Sequence, residues 1–170
     1  MTLSFWGSVL IITGCVAIGF LYASEYQKTV NCLHQLQNSL EQMEYELNYS
    51  ACSLPELFRI INAGNAGILK QLWANIADEL DSQIVPNAET CMRKAIHLNQ
   101  ALPVPILDIL NKFAECLGKY DLHGQLQGLT YTQELCSAKL KELEENMEER
   151  LRCYRVFGLC GGIALVIILI

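Results

Sequence analysis

Apolar residues return every three or four positions along most of this chain. In its last fifty residues Leu122, Leu126, Leu129, Cys136, Leu140, Leu143, Met147 and Leu151 form one stripe, with Gln133 as its polar break. The spacing predicts an amphipathic helix from Asp121 to Arg155, roughly 50 Å long at the usual rise per residue. No proline interrupts it. At Val156 the charge stops, and residues 156–170 are apolar all round. The amphipathic helix is therefore expected to pass into a membrane helix without a linker. The start of the chain mirrors this. Residues 3–23 carry no charged side chain, and the run is long enough for a hydrocarbon layer about 30 Å thick. Residues 24–50 continue as a helix with a seam of Leu33, Leu36, Leu40, Met43 and Leu47, spaced to pack on another helix.

Between these ends the pattern predicts shorter helices. Ser53-Leu54-Pro55-Glu56 is a start signal: Ser53 is placed to cap, Glu56 to return a bond, and proline sits in the first turn. Leu54, Leu57, Phe58 and Ile61 face one way, Gly64 and Gly67 punctuate the chain, and Leu69, Leu72, Trp73, Ile76 and Leu80 form the next stripe. Asp81 to Pro86 is a short link. A helix from Ala88 to Leu98 is expected to bury Ala88, Cys91, Ala95 and Leu98. Pro103 and Pro105 open another, with Ile106, Ile109, Leu110, Phe113 and Leu117 on its apolar face. Gly118 is expected to end that helix in left-handed geometry, and Asp121 to cap the last one. No stretch sustains the period-two alternation of a strand. The expected fold is all-α: a membrane hairpin of two transmembrane helices, 1–23 and 156–170, carrying a cytoplasmic bundle of about six helices over 24–155. The first and last helices of the bundle are expected to be antiparallel.

A composition that is 52% hydrophobic agrees with membrane segments. A cleaved signal peptide is the alternative for 3–23, but no Lys or Arg precedes the apolar run, as one normally would. Lys28 follows the first segment, and Lys139, Lys141, Arg150, Arg152 and Arg155 precede the second. That bias makes the middle cytoplasmic and both termini extracytoplasmic. The net charge of −6 and the scatter of basic residues speak against a nucleic-acid footprint.

Candidate chemistry is sparse. Eight cysteines occur singly, without a C-x-x-C, and His34, His97 and His123 are scattered. No pair has metal-ligand spacing on a helix face. Neither a catalytic residue nor a cofactor or metal site is expected, and a tethered thiol or metal enzyme would need the fold to assemble its site. Glu142, Glu145 and Glu149, interleaved with basic residues, read as a solvated helix face or a partner-docking face. Gly158 and Gly162 make a G-x-x-x-G step with Gly161 beside it, and Gly7 and Gly14 share a face of the first apolar run. Small residues let membrane helices approach closely, either within the hairpin or against another subunit.

Leu40-Glu41, Glu46-Leu47-Asn48-Tyr49 and Ser53-Leu54-Pro55-Glu56 resemble the front half of the stage III sporulation protein AB family. Leu117-Gly118-x-x-Asp121-x-x-x-Gln125 resembles that family's helix-turn signature, with Gly118, Asp121 and Gln125 as its structural turn. Tyr154-Arg155-x-Phe157-Gly158-x-x-Gly161-Gly162 resembles its C-terminal anchor. Two positions depart from the pattern: Gly124 and Gly128 soften the start of the last helix, and position 91 is Cys where the family has Trp. The resemblance implies a protein of the mother cell in an endospore-forming bacterium, seated in the outer forespore membrane within the channel complex. It implies a domain similar to the platform proteins of type II secretion and type IV pilus machines. It also implies a hexameric secretion-type ATPase, stage III sporulation protein AA, and other membrane subunits of the channel as partners, with no nucleic acid, small-molecule substrate or catalysis. A reduced platform protein of another secretion or pilus system is the alternative within that class.

Overall fold

The computed structural model describes residues 2–50, 52–82, 87–99, 101–117, 122–147, 149, 152, 153, 156 and 160. Among them it contains six α-helices and no strand. They are α1 (Thr2–Tyr49), α2 (Leu54–Gly64), α3 (Gly67–Asp81), α4 (Ala88–Leu98), α5 (Val104–Cys116) and α6 (Leu122–Glu145). Residues cohere as two groups: 31–140, and 1–30 with 141–170.

Within 31–140 the core follows the helical periodicity. Leu33, Leu36, Leu40 and Met43 of α1 are fully buried, as are Phe58 and Ile61 of α2 and Leu69, Leu72, Trp73 and Ile76 of α3. Phe58 and Trp73 stack with ring centroids 5.7 Å apart, an arrangement that adds about 1 kcal/mol to their burial. Helices α2 to α5 each pack on the next in sequence. Their faces are tied by Arg59 to Asp81, by Lys94 Nζ to Glu79 Oε1 (2.7 Å), and by Arg93 to Glu115 (3.1 Å), while Arg93 also pairs with Glu89 one turn earlier on α4 (3.1 Å). Such partly exposed pairs set orientation more than stability.

Local signals hold in part. Pro55 lies in the first turn of α2, and Leu57 N donates to Ser53 O at 2.9 Å, but the Ser53 side chain makes no capping bond. The expected capping box is absent. The cap appears instead at α4, where Asn87 Oδ1 accepts from Glu89 N at 3.0 Å. The buried face of α4 also differs from the expected one. Cys91 and Ala95 are buried, but Met92 and Ile96 join them, while Ala88 is half-buried and Leu98 is 64% exposed. Pairs at i, i+1, i+4 and i+5 make a wider stripe than the sequence reading used, and Leu98, the last helical residue, falls off its edge. Gly67, with φ +61, supplies the left-handed residue that turns α2 into α3.

The last helix is shorter than expected. α6 ends at Glu145, and Asn146 is a turn residue whose Nδ2 donates to Glu142 O at 2.7 Å. Asparagine competes for helix backbone partners in this way. Met147, Glu149, Arg152, Cys153, Val156 and Cys160 are helical again. The unbroken long helix is α1.

Among the described residues no helix is long and apolar enough to cross a membrane. Of the two expected spans, 156–170 lies outside the described residues except Val156 and Cys160. Within 3–23 side chains are described only at 13, 14, 17 and 20–23.

Candidate functional site

The seam between α1 and α6 in 31–140 brings together groups far apart in sequence. Gln133 explains its place in the apolar stripe: its Nε2 donates to Leu40 O at 3.1 Å and to Glu44 Oε2 at 2.9 Å. Its two amide hydrogens thus bind one backbone and one side-chain acceptor. Three residues on, Cys136 Sγ lies 3.7 Å from Leu33 O. The pairs 40/133 and 33/136 run in opposite chain directions, so α1 and α6 are antiparallel here, as the sequence predicts. Buried Thr132 satisfies its hydroxyl locally on Gly128 O at 2.8 Å. On another side of α1, buried Ser39 Oγ lies 2.7 Å from Gln35 O and 3.0 Å from Asn65 Oδ1, while Asn65 Nδ2 donates to Ile61 O at 2.8 Å. Polar groups buried this way fix register, because sliding the helices would strand them without partners.

Two thiols share the seam. Burial pushes Cys136 up to about 11, with the Cys32 thiol and the Glu41 carboxylate adding to the effect. Burial alone pushes Cys32 up to about 11. Cys91 is also raised, by burial and then by Glu79. These folded-state values lie above the unfolded ones. The thiols therefore favour folding below about pH 9 and lose that contribution as pH rises toward 11. Thiols held protonated in this way pack as small hydrophobes. Against an ordinary thiol near pKa 8.5, their thiolate fraction at pH 8 is lower by roughly two orders of magnitude. Iodoacetamide on the native protein at pH 8 should therefore modify the exposed Cys153 well before Cys32 and Cys136. Equal rates by mass spectrometry would contradict the buried seam.

A contact that the sequence reading took for softness lies nearby. A Cβ on Gly128 would stand 2.5 Å from Cys116 Cβ and 2.9 Å from its Sγ. Gly128 is thus a point of close approach between α6 and the end of α5. Gln125, three residues earlier, is half-buried on α6, whereas Gly118 and Asp121 lie outside the described residues. Gly7 and Gly14 are helical within α1, and a Cβ at Gly14 would meet nothing within 4 Å. Gly158, Gly161 and Gly162 also lie outside the described residues.

Glu142, Glu145 and Glu149 are all exposed, and Glu145 pairs with Lys141 across one helical turn at 3.9 Å. That arrangement is a solvated helix face. In the same group of residues Tyr26 Oη donates to Leu143 O at 2.7 Å, and Phe20, Leu21 and Tyr22 of α1 are 65%, 66% and 62% exposed. Among the described residues no three His, Cys, Asp or Glu side chains gather to hold a metal ion.

The sequence matches the family model for stage III sporulation protein AB over residues 4–170. No curated protein matches it. A solved structure described as stage III sporulation protein AB (SpoIIIAB) superposes with a TM-score of 0.65 at 20% identity, covering 71% of this chain and 96% of that one. At that identity the likeness speaks to the fold, and it is the same helical fold. The family match runs through the bundle, the α1–α6 seam and both apolar ends, and so the chain belongs to the stage III sporulation protein AB family.

Proposed function

We propose that this protein is a non-catalytic membrane subunit of the sporulation channel between mother cell and forespore. It would sit in the outer forespore membrane, with residues 24–155 in the mother-cell cytoplasm and two spans packed through their glycine faces. The bundle docks on a hexameric secretion-type ATPase, stage III sporulation protein AA, and couples it to the other membrane subunits. The observation that carries this reading is α1. It runs without a break from the uncharged 3–23 segment into the core of the bundle, and Phe20, Leu21 and Tyr22 stand exposed where it would leave the bilayer. Consecutive residues cover a wide arc of a helix, so three exposed apolar side chains in a row suit lipid better than water. Lys28 follows within two turns, on the side where positive charge belongs. The family match supports the sporulation role.

Topology tests the hairpin. A cytoplasm-active reporter inserted at residue 90 and the same reporter at the C-terminus should give opposite signals. The same signal from both would remove the hairpin and with it the proposed placement of the bundle.

A further inference from the structure

We propose that the outward face at the C-terminal end of α1 is a docking site for an arginine-bearing basic segment of another protein. The core-facing side of this stretch is Leu36, Ser39, Leu40 and Met43. Steps of four residues advance about 40° around a helix, and Glu41, Tyr45 and Tyr49 form a column directly opposite. Tyr45 is 60% and Tyr49 77% exposed. Their rings lie on each other with centroids 4.8 Å apart and planes 37° from parallel. Isolated exposed aromatics are common on protein surfaces, but a tilted pair in contact on the ridge of a helix is a ready-made contact area.

The surrounding charge names the occupant. Glu41 begins the column, while Glu44 and Glu46 flank it on its two sides. Among the described residues their carboxylates accept from neutral donors: Gln37 Nε2 on Glu41 at 3.2 Å, Gln133 Nε2 on Glu44 at 2.9 Å and Ser50 Oγ on Glu46 at 2.6 Å. Among the described residues none of the three is in an ion pair, although Glu79, Asp81, Glu89, Glu115 and Glu145 all are. Residues 29–58 contain no Lys or Arg at all. The face is therefore negative and aromatic, and it repels phosphate, which excludes a nucleic acid or an anionic lipid headgroup. A guanidinium fits both features: it lies flat on a tyrosine ring while its donor fork engages a carboxylate. An ammonium satisfies only the charge. Residues 31–140 of a second copy do not offer the group, because both arginines there are engaged, Arg59 with Asp81 and Arg93 with Glu89 and Glu115. The inference concerns the chemistry of the docking segment and stands apart from the identity of the ATPase.

The test is calorimetric titration of the full-length protein in detergent, at about 0.15 M salt so that long-range attraction is screened. The probes are two synthetic peptides of equal length and net charge, one with four arginines and one with four lysines. The arginine peptide should bind about tenfold more tightly. Tyr45→Ala with Tyr49→Ala should abolish that preference without moving the melting temperature, since both rings are exposed. Glu142→Gln with Glu145→Gln, on the other acidic face, should leave the preference intact. Equal binding of the two peptides by the native protein overturns the proposal. So does an arginine preference that survives loss of both tyrosines, or that disappears with Glu142 and Glu145. A native dimer that becomes monomeric in the tyrosine variant would make a second copy the occupant, and that also overturns it.

Discussion

Gly128→Ala should destabilise the bundle, although helix propensity alone would stabilise it by roughly 1 kcal/mol. The new methyl group would stand 2.5 Å from Cys116 Cβ. That atom is fixed to its backbone, so no rotamer change clears the way, and α5 and α6 would have to part. Overpacking of this kind costs about 1–3 kcal/mol, so the net loss should reach up to about 2 kcal/mol. Gly128→Val should lose more, because its branched side chain is both larger and less at ease in a helix. The melting temperature of the full-length protein in detergent, followed by circular dichroism, reads the sign directly. Cys116→Gly should recover much of the loss when combined with Gly128→Ala, since it removes the obstructing atoms. A melting temperature raised by Gly128→Ala alone would mean that the helices do not approach there.

A flexible Gly-Ser segment inserted after Thr29 should abolish spore formation while leaving the bundle folded. The bundle residues 31–140 cohere among themselves, so an insertion just before them interrupts α1 without entering the core. A continuous helix transmits displacement along its length, whereas a Gly-Ser linker behaves as a flexible coil. The same insertion between Arg152 and Tyr154 should have a weaker effect. The sequence pattern placed the rigid rod on that side of the chain, but α6 already ends at Glu145 with a turn at Asn146. Counting heat-resistant spores from the two strains checks both statements. Full sporulation with the insertion after Thr29 would rule out coupling through α1.

The six helices were legible because their apolar residues recur at the helical period, which reports a buried face without knowledge of its partner. The seam of α1 and the faces of α2, α3 and α5 emerge at most of the expected residues for that reason, with Leu47, Leu54 and Leu80 at their ends only half-buried. What the pattern lost was decided across the chain. Gln133 is conspicuous as a polar break, but its acceptors on Leu40 and Glu44 are about ninety residues away in sequence. Gly128 looks like a weak point in a helix until Cys116 is beside it. The α4 face was misjudged because a short helix with mixed polarity allows more than one buried arc, and packing against α3 and α5 selected Met92 and Ile96. Ser53 has the right sequence for a capping box yet leaves its side chain out of the cap, while Asn87, with a less conspicuous context, forms one. Of the residues singled out for function, Glu142, Glu145 and Glu149 are exposed. The turn at Gly118 and Asp121 and the C-terminal glycines lie outside the described residues.

Docking on the motor is the central claim, and affinity purification of the full-length protein from sporulating cells tests it most directly. Detergent-solubilised membranes should yield the hexameric secretion-type ATPase together with the other channel subunits. The same ATPase should be recovered with the variant carrying the insertion after Thr29, because its bundle is intact. Recovery of the channel subunits without the ATPase, from cells that contain it, would contradict the account.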